Sequence, residues 1–296
     1  MSVEQRELSP HVTRWAGPNG GRVPFGNPLT VTAGTTTVLL DSGLQIDAPP
    51  ADLLLLSHFH EDHTVDAAAR ATSVAIHQRD APVLASWESF RGAGGLPEGE
   101  WEADFRREYG WNPMPDIGTF GDDAVFDVGG GVRVTVVPLP GHTAGHCGFL
   151  IEPDGVFYIA DVDLSTFGPM YSDVGSSLAD TRATLAAVTE VGAEVIASYH
   201  HKGPYFEREE FLADLASHAA ALDAREGRLL DLLATGSRSA EELTGRGIIY
   251  RVETAPWYAG PVELAMLRLH LDELVERGAA AGPEDDGRYR LAGSAG

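Results

Sequence analysis

Ser57-His58-Phe59-His60-Glu61-Asp62-His63 holds three histidines and Asp62 within residues 58–63. It follows Ala51-Asp52-Leu53-Leu54-Leu55-Leu56, a short apolar run that reads as a buried strand. A polar segment directly after such a strand lies at a sheet edge, where ligands bind. Imidazole and carboxylate suit zinc and other borderline divalent metals. His58 and His60 are two residues apart, so in extended chain both rings point to one side. Asp62 and His63 sit where the chain turns towards a helix expected over Thr64–Arg70, facing a second point nearby. One short peptide can therefore serve two metal ions.

The H-x-H-x-D-H pattern resembles the signature of the metallo-β-lactamase superfamily of metal-dependent hydrolases. The resemblance spans roughly residues 10–205. It implies an αββα sandwich: two mixed sheets face to face, helices on both outer sides, and a metal centre at one edge. It also assigns further residues. Asp41, in Asp41-Ser42-Gly43 at the end of a strand, would brace the metal loop from beneath. His142, in Pro140-Gly141-His142-Thr143, would complete the first site with His58 and His60. Asp161, at the end of the strand Val156–Ala160, would bridge two ions, with Asp163 a weaker candidate. His146 is expected to support the site without touching a metal.

The last ligand follows the strand Ala193–Tyr199, where the family often has Gly-His-Gly-Pro. Here the chain reads His200-His201-Lys202-Gly203-Pro204. Counting from the strand selects His200, and counting back from Gly-Pro selects His201. The strand register favours His200 beside Asp62 and His63, leaving His201 to support it. The implied cofactor is two divalent ions, zinc by default, with iron or manganese compatible. A hydroxide between them would attack the substrate, and Asp62 would orient it and pass its proton to the leaving group.

Residues 88–122 are rich in aromatics, Gly and Pro, and read either as a lid or as a packed helical insertion. From Phe206 the chain changes character. Helices are expected at Phe206–Asp223, Arg225–Leu233, Ser239–Leu243 and Val262–Arg277, followed by strand-like pieces around Asp285-Asp286-Gly287. This resembles the winged-helix-like tail of one branch of the superfamily. Two domains are expected, a catalytic one over 1–205 and the tail over 206–296.

Formal charge is −23 over 296 residues, which argues against polyanion or anionic-membrane partners. The tail alone carries 17 acidic and 10 basic residues, a net −7, the wrong balance for a DNA reader. Its expected roles are to pack on the catalytic domain, shape the substrate mouth or mediate a homodimer. No apolar run reaches the ~20 residues of a membrane span. The start, Met1 to Glu7, lacks the apolar core of a signal peptide, and Cys147 is the single cysteine. Both fit a cytoplasmic protein.

The expected activity is hydrolysis of an ester, thioester or lactone of a small molecule. Phosphodiester or RNA cleavage, a single-iron sulfur dioxygenase and a non-catalytic sensor are rival readings of the same motif. Lys202 is the only lysine in the chain. With an acidic surface around it, Lys202 is expected to anchor an anionic substrate, with Tyr205 beside it.

Overall fold

The computed structural model describes residues 4–293. Met1 to Val3, part of the stretch read for a leader, lie outside the described residues.

Seven strands form the first sheet: β1 (Glu4–Glu7), β2 (Val12–Ala16), β3 (Leu29–Ala33), β4 (Thr36–Leu40), β5 (Ala51–Leu56), β6 (Ala71–His77) and β7 (Gly118–Phe120). They lie side by side in chain order, antiparallel from β1 to β4 and parallel from β4 to β7. The second sheet holds β8 (Val125–Gly129), β9 (Val132–Pro138), β10 (Cys147–Glu152), β11 (Val156–Tyr158) and β12 (Val195–Ala197), in the order β12-β11-β10-β9-β8. Only β11 and β12 pair in parallel there.

The leucine run at 53–56 shows why the sheets stack. Leu55 faces the second sheet and packs in one core with Leu40, Phe149 and Tyr158. Leu54 and Leu56 face the other way, onto Phe59, Trp87, Phe90 and Trp111. A strand covered on both faces loses polar alternation and reads as a continuous apolar run. The outer face of the second sheet, through Phe157, Ile159 and Ile196, packs on Leu178, Leu185, Phe211 and Leu215. The layers are therefore helix, sheet, sheet, helix, as expected.

Several boundaries differ from expectation. The turn after His63 runs to Asp66, and only Ala67–Arg70 is helical. Asp66 has a φ of 49°, which an α-helix does not allow. The insertion at 88–122 is packed: Phe90, Tyr109 and Trp111 are buried on the first sheet beside Trp87. The two helices expected at 206–223 and 225–233 are one helix, Arg208–Ala234. Between them Ala224 and Arg225 carry no break signal, and Leu222, Arg225 and Leu229 are buried on one face.

The tail continues with β13 (Arg238–Ser239), the helices Ala240–Leu243 and Ala259–Glu276, then β14 (Ala280–Ala281) and β15 (Arg288–Leu291). Ser239 caps the short helix in a reciprocal box with Glu242. β15 pairs with both β13 and β14. The 205/206 boundary separates a strand region from helices, yet one apolar core crosses it from Ile159 and Leu185 to Met266 and Leu274. No helix of the described residues is long and apolar enough to cross a membrane.

Candidate metal centre

The loop after β5 meets three others at one edge of the sandwich. His58 Nε2, His60 Nδ1 and His142 Nε2 form a triangle with sides of 3.0, 3.1 and 3.2 Å. The opposite nitrogen of each ring is already engaged. His60 Nε2 lies 2.8 Å from Asp173 Oδ2, and His142 Nδ1 lies 3.0 Å from the Met170 carbonyl. His58 Nδ1 lies 3.0 Å from Ser57 Oγ, whose own proton goes to Asp41 Oδ2. Each outer nitrogen therefore carries the proton, and three lone pairs converge. Like lone pairs repel unless a cation sits between them. Zn–N bonds of ~2.0 Å at tetrahedral angles separate nitrogens by roughly 3.3 Å, close to the observed sides.

Asp62, His63 and His200 form the second group. His200 Nδ1 donates towards the carbonyls of Phe25 and Gly21, leaving Nε2 2.9 Å from Asp62 Oδ2. His63 Nδ1 donates to Asp41 Oδ2 at 2.9 Å. Its Nε2 and Asp161 Oδ1 are both buried without a hydrogen bond, although only 2.9 Å apart. A buried nitrogen lone pair aimed at a carboxylate oxygen is the arrangement that a shared cation relieves.

Asp161 stands between the groups. Its Oδ1 lies 2.9 Å from His63 Nε2 and 3.7 Å from His200 Nε2. Its Oδ2 lies 3.4 Å from His142 Nε2 and 3.9 Å from His58 Nε2. His146 holds it in place: Nδ1 donates to the Leu139 carbonyl, and Nε2 accepts from the Asp161 amide. Burial and the neighbouring His142 push His146 down to about 3, keeping that nitrogen an acceptor.

The electrostatics agree with a cation site. Burial opposes a charge on Asp161, but His63 and His200 outweigh it and hold its carboxyl well below the usual range. Burial likewise opposes a charge on His63, but Asp161, Asp41 and Asp62 raise it well above an ordinary histidine. His60 is raised to about 9, with burial overcome by Asp173. A field that favours protons on buried imidazoles also favours a divalent cation, which displaces them. Burial dominates at His58 and, with His63 and His60 beside it, lowers it well below the ordinary value.

Asp41 lies beneath the loop, fully buried, with a φ of 58° that aspartate tolerates better than most residues. It accepts from the Ser57 amide, Ser57 Oγ, His63 Nδ1 and Tyr158 Oη at 2.7–2.9 Å. His201 turns aside at a φ of 55°, with Nε2 3.7 Å from Asp163 Oδ2. Of the two adjacent histidines, only His200 joins a ligand group.

The two residues expected to hold a substrate both face the tail. Lys202 Nζ binds Asp214 Oδ1 at 2.6 Å, and Tyr205 Oη binds Asp214 Oδ2 at 2.8 Å. Asp214 comes from the helix Arg208–Ala234, so the chain's only lysine pairs with its own tail. An acidic chain offers a lone cation internal partners as well as an anionic surrounding.

Sequence reading missed several supports. Asp173 and the Met170 carbonyl orient His60 and His142 from a loop without regular structure. Asp80 accepts from Thr143 Oγ1 at 2.6 Å and from the Gly145 amide at 2.7 Å, bracing the loop that carries His142. Tyr199 lies against His63 with ring centres 3.8 Å apart and planes tilted by 36°, its hydroxyl 2.5 Å from the Asp62 carbonyl. Only Tyr199 had a signal, as the last apolar residue before His200.

Among solved structures the chain superposes on a metallo-β-lactamase family protein from Thermus thermophilus with a TM-score of 0.72. That match covers 96% of this chain and 100% of the other at 22% identity. The chain has the metallo-β-lactamase fold. A β-lactamase domain protein from Burkholderia ambifaria shares this fold over 98% of this chain and 94% of its own, with a TM-score of 0.68 and 18% identity. A subclass B3 metallo-β-lactamase of Bradyrhizobium japonicum shares it over 78% of this chain and 96% of its own, with a TM-score of 0.58 and 16% identity. No family model and no curated protein matches the sequence. In this metallo-β-lactamase fold the His/Asp groups sit at the sheet edge, where the strands β5 and β12 deliver His58 and His200.

Proposed function

We propose that the chain is a dinuclear metal-dependent hydrolase acting on an ester, thioester or lactone of a small molecule. The observation that carries this reading is Asp161, whose two oxygens face two different ligand groups. His58, His60 and His142 would hold one ion, and Asp62, His63 and His200 the other, with Asp161 shared. Zinc suits the donors best, since five imidazoles and two carboxylates are its usual protein ligands. Such ions supply a nucleophilic water at neutral pH and polarise a carbonyl oxygen.

The chain's own groups do the rest. Asp62, beside His200 and at the mouth of the loop, orients the attacking water and receives its proton for the leaving group. Asp41, Asp173 and the Met170 carbonyl fix the imidazoles so that their lone pairs converge without rearrangement. The closeness of Asp62, His63 and His200 favours two ions over a single iron. The acidic tail favours a small molecule over RNA. Its order of helix, strand, two helices and hairpin supports a winged-helix-like reading, with packing rather than nucleic-acid binding as its role.

Metal analysis of the purified protein, with a screen of thioesters, lactones, esters and phosphodiesters, tests the proposal. Metal-dependent turnover of an acyl substrate is expected. Turnover confined to phosphodiesters, or none that responds to metal removal, would contradict it.

A further inference from the structure

Arg225 lies in the middle of the helix Arg208–Ala234 and is 1% exposed. Burying a guanidinium is costly unless its donors are all used. Its three hydrogen-bond partners are neutral and come from one loop. Nη1 donates to the Pro169 carbonyl at 2.6 Å and to Tyr171 Oη at 3.0 Å, and Nη2 donates to the Phe167 carbonyl at 2.7 Å. The guanidinium also lies 5.0 Å from the Phe167 ring centre and 5.6 Å from that of Tyr171.

The same helix face grips the loop twice more. His218 Nδ1 lies 2.8 Å from the Ser165 carbonyl. Gly168 has a φ of 91°, and a Cβ there would meet Ala221 Cβ at 2.2 Å. His218, Ala221 and Arg225 follow one another along that face. From the other side, Tyr171 Oη donates to His270 Nε2 of the helix Ala259–Glu276 at 2.8 Å.

This loop carries the two groups that orient the first ligand triangle. Met170, between the Pro169 carbonyl and the Tyr171 hydroxyl that Arg225 binds, presents its own carbonyl to His142. Asp173, two residues beyond Tyr171, binds His60. Neither support touches the Asp62, His63 and His200 group.

We propose that Arg225 is a positioning residue through which the tail sets the affinity of the His58, His60 and His142 site, and not that of its neighbour. By fixing the loop 165–173, it holds the Met170 carbonyl and the Asp173 carboxylate where they fix two imidazole orientations. The inference rests on the metal-centre reading above.

The test is a stepwise cobalt(II) titration of metal-free full-length protein, followed by visible absorption. His58→Ala and His200→Ala assign the two spectra. Arg225→Gln should weaken the His58-dependent site by up to about 10-fold, the low end of the effect of losing a ligand's own hydrogen-bond partner, because Arg225 acts one step further out. The His200-dependent site should keep its affinity. Arg225→Lys keeps the charge and stem but not the planar fork, and should fall between. Tyr171→Phe removes one partner of Arg225 with little change of shape, so it reports even if Arg225→Gln does not fold. It should weaken the same site in the same direction.

Unchanged affinity at the first site in the folded variants would overturn the inference. So would parallel loss at both sites with a lowered unfolding midpoint, which marks a merely structural arginine. Wild-type protein without a His58-dependent cobalt site would overturn the metal-centre reading itself, and the inference with it.

Discussion

His200 Nε2 lies 2.9 Å from Asp62 Oδ2, two buried groups from strand ends far apart in the chain. His201, its immediate neighbour, faces Asp163 instead. His200→Ala should therefore remove one ion of two, and His201→Ala should leave both. Metal content of the two variants decides, and loss in His201→Ala alone would reverse the assignment.

Asp173 holds the outer nitrogen of His60. Asp173→Asn keeps the shape but removes the charge. It should lower affinity for the first ion by about 10–100-fold. Competition with a chelating indicator measures this, and the second ion serves as the internal control.

Asp41 is the acceptor for four buried donors. Asp41→Ala leaves Ser57, His63 and Tyr158 unpaired in the interior. Removing one partner of a buried charged network costs about 3–5 kcal/mol. Urea unfolding of metal-free protein should show a loss of that order, separate from any effect on metal binding.

Lys202 and Tyr205 share Asp214 at a half-exposed position. Lys202→Met should leave KM unchanged for anionic and neutral substrates alike. Its stability cost should be no more than about 1 kcal/mol, as for other solvated pairs. A selective rise in KM for the anionic substrate would restore the anchoring role.

His270 is buried, and burial together with Arg225, Arg182 and Arg277 pushes it down to about 3. In the unfolded chain an imidazole protonates near 6.5. Between those values the unfolded state binds the extra proton. The stability due to neutral His270 is therefore complete above about 6.5 and is lost progressively as pH falls towards 3. From pH 7 to pH 5 this amounts to about 2 kcal/mol. His270→Gln should lose correspondingly less stability over that interval than wild type, as measured by urea midpoints at the two pH values.

The two His/Asp groups were legible because their residues lie in short motifs directly after strands, where geometry follows from local chain direction. His58, His60, Asp62 and His63 are one peptide, and His142, Asp161 and His200 each end a strand or its turn. Their supports were not legible. Asp173 and Met170 lie in a loop whose path is set by Arg225 and His270, more than fifty residues later in the chain. The partner of Lys202 was hidden for the same reason: Asp214 reaches it because the helix Arg208–Ala234 folds back on the sandwich. That helix reads as two in the sequence, yet its buried face runs unbroken through Leu222, Arg225 and Leu229.

In the proposed centre Asp161 joins two ion sites. Metal content at zinc saturation, measured on wild type, His58→Ala, His200→Ala and Asp161→Ala, tests it most directly. Wild type should hold about two ions per chain, each histidine variant about one, and Asp161→Ala should retain both more weakly. A saturated wild type with one ion, lost in His58→Ala and untouched in His200→Ala, would contradict it.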